Sequence, residues 1–282
     1  MEVVKKDNSL GYSTLLYIYK ILGYKSVSFI LNFIALYYVI FAKNIKKDMQ
    51  SYYEAQNIKP TNKVFFKHIK TFSISLLDRF VSRINPEEFT YNGINQDRLD
   101  ILKDAGGIVL LSHLGGWASS THNLSTKDIP PMNIVMQDNT NDNMQEVEAD
   151  AKDNTKKNVK IIDVNQGAFA TNIQIANVLM QGEIVAMMAD RIADKKRSVE
   201  VTFFNKKVKI NKDPFDIAKR MNKPIIIVHT INNGNKKYEA HYYRLDTKDK
   251  TIEENAQEYM NILETILNKY PYQWYNFYDF FI

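Results

Sequence analysis

Gly106-Gly107-Ile108-Val109-Leu110-Leu111-Ser112-His113-Leu114-Gly115-Gly116-Trp117 is the stretch whose reading decides the fold. The apolar run is long enough for one buried strand and ends in Ser112-His113. Two glycines follow, where the backbone must turn before a helical stretch from about Trp117 to Leu124. This order places an imidazole at the carboxyl end of a strand, the sheet edge at which α/β proteins usually bind ligands. Histidine is also the side chain suited to exchanging a proton near neutral pH. Gly115 and Gly116 let a substrate approach the backbone, and their N–H groups are expected to face a developing oxyanion. The plainer reading, a satisfied core histidine beside a glycine turn, stays open on these residues alone.

Working outward, short apolar runs alternate with polar helical ones after Asn85-Pro86. That pattern predicts an α/β fold with a mixed, mainly parallel sheet flanked by helices. Strands are expected at Ile108–Ser112, Asn133–Met136, Val159–Val164, Ile184–Met188, Val199–Phe203, Lys207–Ile210, Pro224–Ile231 and Tyr238–Arg244. Helices are expected at Gln96–Lys103, Trp117–Leu124, Asp142–Asp153, Ala168–Met180, Pro214–Met221 and Ile252–Lys269. The strand at Ile184 runs into Asp190-Arg191, so a carboxylate and a guanidinium should emerge at the edge that carries His113. The planar fork of Arg191 either holds an anionic group or pairs with Asp190 or Asp194.

The chain has 282 residues and divides into an N-terminal helical part, 1–84, serving membrane association, and an α/β domain, 85–282. Ser26 to Ala42 carries no charge and is flanked by Lys25 on one side and by Lys43, Lys46 and Lys47 on the other. At about 25 Å of helix this is the lower limit for a membrane span. The basic flanks and the short length favour a helix lying in or dipping into the cytoplasmic leaflet over a clean span. Residues 61–83 read as an amphipathic helix capped by Thr61, whose His68 and Asp78-Arg79 are placed either to reach a site or to form a solvated face. The absence of cysteine excludes a thiol acyl-enzyme, Cys-ligated metal centres and disulfides. A net charge of +5 suits anionic lipid, an acidic carrier protein, a phosphorylated substrate or nucleic acid equally well. The five histidines show no metal-ligand spacing, so no metal is expected, and no motif points to nucleic acid. The aromatic C-terminus from Tyr270 to Ile282 must either dock on the domain or lie on the bilayer.

These pieces, in this order, resemble the lysophospholipid and lipid A biosynthesis-type acyltransferases, in particular their predicted bacterial acyltransferase branch. The resemblance runs over nearly the whole chain. It includes Leu10-Gly11-Tyr12, Leu36-Tyr37-Tyr38, the helix from Phe66 to Arg79, Ser112-His113-Leu114-Gly115, Asp190-Arg191 with Val199 to Phe204, and the aromatic terminus at 271–280. It implies a membrane-associated acyltransferase at the cytoplasmic face of the inner membrane. A fatty acyl group would pass from a thioester of acyl carrier protein or coenzyme A to a lipid or glycolipid acceptor, with no bound cofactor. His113 is then the general base. Ser112, Gly115, Gly116, Trp117, Arg191, Asn276, Tyr278 and Asp279 are expected around the substrate, and the lysines at 206, 207 and 209 either receive an acidic carrier or form the solvated edge of a hairpin.

The family pattern sets Asp or Glu after four residues beyond the histidine, where this chain has Ala118. A methyl group cannot orient an imidazole. The replacement is expected from Asp190, with Asp279 or Asp78 behind it, or more weakly from Ser119, Ser120 or a backbone carbonyl. The competing reading is an inactive or engineered relative that binds lipid or carrier without transferring an acyl group.

Overall fold

The computed structural model describes residues 9–117, 119, 123–124, 127–136, 159–192 and 195–282. Four helices open the chain: α1 (Ser9–Phe41), α2 (Lys43–Asp48), α3 (Gln50–Ala55) and α4 (Asn62–Ile84). The capping residue of α4 is Thr61, whose hydroxyl accepts the Val64 N–H. After them come β1 (Thr90–Ile94), α5 (Ile101–Ala105), β2 (Gly107–Leu111), β3 (Met132–Met136), β4 (Val159–Asp163), α6 (Ala168–Met180) and β5 (Ile184–Met188). The hairpin β6 (Ser198–Phe203) and β7 (Lys206–Asn211) precedes α7 (Asp213–Met221), β8 (Ile225–Asn232), β9 (Lys237–Leu245) and α8 (Ile252–Lys269).

Seven strands form one sheet in the order β1-β9-β8-β2-β5-β3-β4, parallel throughout except for the antiparallel β8–β9 pair. The sheet is thus the mixed, mainly parallel one expected. Its central strands are continuous apolar runs because both faces are covered. Ile108, Leu110, Val185, Met187, Ile225 and Ile227 enter one core, while Val109, Leu111, Ile184, Ala186, Ile226 and Val228 enter the other. The first core also takes Ala35, Met49, Tyr52, Tyr53 and Phe65 from the N-terminal helices, and Trp274 and Phe280 from the C-terminus. The terminus therefore docks on the protein.

The structure departs from this reading in two places. The helix expected at Gln96–Lys103 is a 3-10 turn, Gln96–Asp100, followed by the short α5, entered through left-handed Asn95. Strand β1 was not anticipated: Thr-Tyr-Asn-Gly-Ile is a half-exposed edge strand without an apolar run. In the hairpin, Lys207 pairs with Glu200 across the strands and Lys206 lies over the Phe281 ring. The helix expected at Asp142–Asp153 lies outside the described residues.

Helix α1 kinks at Gly23, whose φ of 74° and ψ of 177° suit a residue without a side chain. Beyond the kink, Val27 and Leu31 share a buried cluster with Leu77 and Val81 of α4. The opposite face leaves Phe29, Phe33, Leu36, Tyr37, Ile40 and Phe41 exposed. By length and composition, Tyr17–Phe41 is sufficient to cross a membrane.

Candidate active site

The site is built by two neighbouring strands. Leu111 of β2 lies opposite Met188 of β5 in a parallel pair. His113 and Asp190 each stand two residues beyond that pair, and paired strands run about 4.8 Å apart. Equal overhangs therefore deliver the imidazole and the carboxylate side by side. The His113 Nδ1 lies 2.9 Å from Asp190 Oδ1, and the His113 backbone N–H donates to Asp190 Oδ2 at 2.8 Å. A third donor, the Trp274 indole N–H, reaches the same Oδ2 at 3.0 Å.

Asp190 is wholly buried, whereas the His113 side chain keeps 15% of its surface open. Burial pushes the Asp190 carboxyl upward, but the adjacent His113, through charge and two hydrogen bonds, and the Trp274 indole outweigh it and hold the pKa at about 2. An ionised carboxylate only accepts, so the bonded ring nitrogen carries the hydrogen, and Nε2 of the neutral ring keeps its lone pair. Among the described residues Nε2 has no hydrogen-bond partner, and the Trp117 ring flanks the imidazole at 5.4 Å between centroids. The arrangement can take a proton at Nε2 while a fixed negative charge supports the resulting imidazolium.

The C-terminal segment closes around this pair. Tyr275 N–H donates to the His113 carbonyl at 2.7 Å, and Leu114 and Trp274 form an isolated antiparallel bridge. From the other side, His68 Nε2 lies 2.7 Å from the Trp274 carbonyl, and the Tyr53 hydroxyl 3.1 Å from His68 Nδ1. His68 is fully buried, and burial lowers its pKa to about 4, so its ring is neutral at pH 7. A carbonyl can only accept, which sets the hydrogen on Nε2 and makes Tyr53 the donor to Nδ1. Arg191, exposed at the site, donates through one terminal nitrogen to the Tyr275 carbonyl at 2.8 Å.

The other sequence-predicted residues fall in two groups. Tyr278 joins the site: its hydroxyl donates to the Asp190 carbonyl at 3.4 Å, and burial raises its pKa to about 12. Asn276 is buried beside it. The glycines do not supply an oxyanion hole. The Gly115 N–H donates to Gln273 O and the Gly116 N–H to Thr230 O, both at 2.7 Å. Their small size is what the fold uses, since a Cβ on Gly115 would collide with the Thr230 carbonyl and one on Gly116 with the Tyr238 ring. Ser112 is buried, with its hydroxyl 3.0 Å from His229 Nδ1, and braces the strand end. Asp279 accepts from the Ser51 hydroxyl, and Asp78 accepts from Tyr24 and Tyr238, so neither serves His113. Ser119 donates to the Gly116 carbonyl. Ala118 and Ser120 lie outside the described residues.

Sequence reasoning missed Trp274 as a member of the site. Its one signal was the aromatic terminus, and nothing in that terminus's spacing tells which polar group its indole meets.

The family profile described as bacterial lipid A biosynthesis acyltransferase matches residues 8–281. No curated protein matches the chain.

Proposed function

Given that this chain belongs to the bacterial lipid A biosynthesis acyltransferase family and is an acyltransferase, we propose that it moves a fatty acyl group from a thioester donor to a hydroxyl or amine of a lipid or glycolipid acceptor, with His113 as general base. The donor is acyl carrier protein or coenzyme A charged with the acyl group. The observation that carries the reading is the two-point grip of Asp190 on His113, through the ring and through the backbone.

In the reaction, His113 Nε2 takes the acceptor's proton as the acceptor's oxygen or nitrogen attacks the thioester carbonyl. Asp190 holds Nδ1–H throughout and stabilises the imidazolium. Collapse of the tetrahedral intermediate breaks the C–S bond, and the leaving thiolate takes the proton back from Nε2. Arg191, tethered to the Tyr275 carbonyl, has further N–H donors for the oxyanion or a donor phosphate. Trp117, Asn276 and Tyr278 complete the walls. No metal or bound cofactor takes part in this scheme.

We place the protein at the cytoplasmic face of the inner membrane. Support comes from the apolar outer face of α1 and the lysines at 25, 43, 46 and 47 that flank it. The test is acyl transfer from labelled donor to a membrane lipid extract by detergent-purified protein, with His113→Ala in parallel. Transfer by the wild type and a loss of about a thousandfold or more in the variant are expected. The second reading, a non-catalytic lipid- or carrier-binding relative, draws on Ala118 alone. Donor binding without transfer under any condition would establish it.

A further inference from the structure

We propose that Trp274 is a positioning residue for acyl transfer, its indole N–H fixing the Asp190 carboxylate in the plane from which it orients His113. The inference rests on the general-base reading above. Asp190 Oδ2 receives two donors, the His113 backbone N–H and the Trp274 indole, while Oδ1 receives only the His113 ring. A carboxylate held at one oxygen by a single backbone donor can still rotate about its own bond. The second donor, arriving from a different segment, removes that freedom and leaves Oδ1 aimed at the imidazole.

The indole is itself held from several directions. Its ring packs against Tyr52, Phe203 and Phe280, with centroids 5.2, 5.3 and 4.9 Å away. Its carbonyl is met by His68, and the next residue's N–H is bonded to the His113 carbonyl. Trp274 is thus referenced to the backbone of the residue whose side chain it helps to orient. Packing alone would be served by any large ring. The placement of the one polar atom of this ring on a wholly buried carboxylate is what a purely structural tryptophan does not need.

The test uses the full chain in detergent. Trp274→Phe keeps an aromatic ring and deletes the donor, and kcat should fall about ten- to a hundredfold with KM nearly unchanged, because the ring does not touch substrate. Trp274→His, which can return an N–H donor, should recover part of the loss. Phe280→Leu loosens the same aromatic packing and keeps the donor, so it should cost less kcat than Trp274→Phe. A second readout needs no activity. The chain has two tryptophans, so an indole-labelled spectrum shows two N–H signals. The Trp274 signal, assigned by its loss in Trp274→Phe and its persistence in a Trp117→Phe control, should shift in Asp190→Asn. Wild-type kcat in a folded Trp274→Phe, or a Trp274 signal indifferent to Asp190→Asn, overturns the proposal. If His113→Ala retains full transfer, the general-base reading fails instead, whatever Trp274 does.

Discussion

Three donors converge on the carboxylate of Asp190, and its charge is the part of the arrangement a substitution can remove without changing its shape. Asp190→Asn should therefore lower kcat by about a thousand- to ten-thousandfold while the protein stays folded, checked by single-turnover acyl transfer beside a melting curve. His68 and His229 make a prediction of a different kind. Burial lowers their folded pKa values from 6.5 to about 4 and about 3. The unfolded chain then binds more protons than the folded one across that interval. Stability from these groups is fully present above pH 6.5 and is lost as pH falls toward 4 and then 3. Melting temperature should drop over that range, and His68→Gln should flatten the upper part of the slope. Gly116→Ala forces a methyl group into the Tyr238 ring and should cost about 1–3 kcal/mol in denaturant unfolding. At this scale the sequence revealed His113 and Asp190, because strand-end logic needs only local pattern. The fate of the Gly115 and Gly116 amides was hidden, because their acceptors come from β8 and from the C-terminal segment.

Among the elements, α1 shows the sharpest division between its two faces. Phe29, Phe33, Tyr37 and Phe41 recur every four residues and stand in one exposed row, with Phe29 and Phe33 in edge contact and Tyr37 tilted against Phe41. Replacing Phe29, Phe33 and Phe41 with serine should reduce cosedimentation with vesicles containing anionic lipid by tenfold or more. The residual binding should weaken with salt, since lysines would then carry it. Unchanged binding would remove α1 from the membrane proposal. The apolar run of α1 was visible in the sequence, but which of its faces is covered was not, because that depends on Leu77 and Val81 of α4. For the same reason β2, β5 and β8 were legible, buried on both faces and therefore apolar throughout, whereas β1 at the sheet edge was not.

Across the whole molecule, the N-terminal helices, the sheet and the C-terminal segment share one core and meet around Trp274. Tyr52 donates to the Pro271 carbonyl and packs on the Trp274 ring, and Arg191 ties the end of β5 to Tyr275. Composition and periodicity gave the layers of this fold, but the joining of its two ends depends on contacts across more than two hundred residues of chain, which no local pattern records. The equal overhangs of β2 and β5 carry a kinetic consequence. The proposed chemistry requires two residues 77 positions apart to be brought together by parallel strand registration, a slow event compared with helix formation. On dilution from denaturant, far-ultraviolet ellipticity should recover first and turnover last. The assay for acyl transfer would then serve as a clock for the final alignment of the sheet.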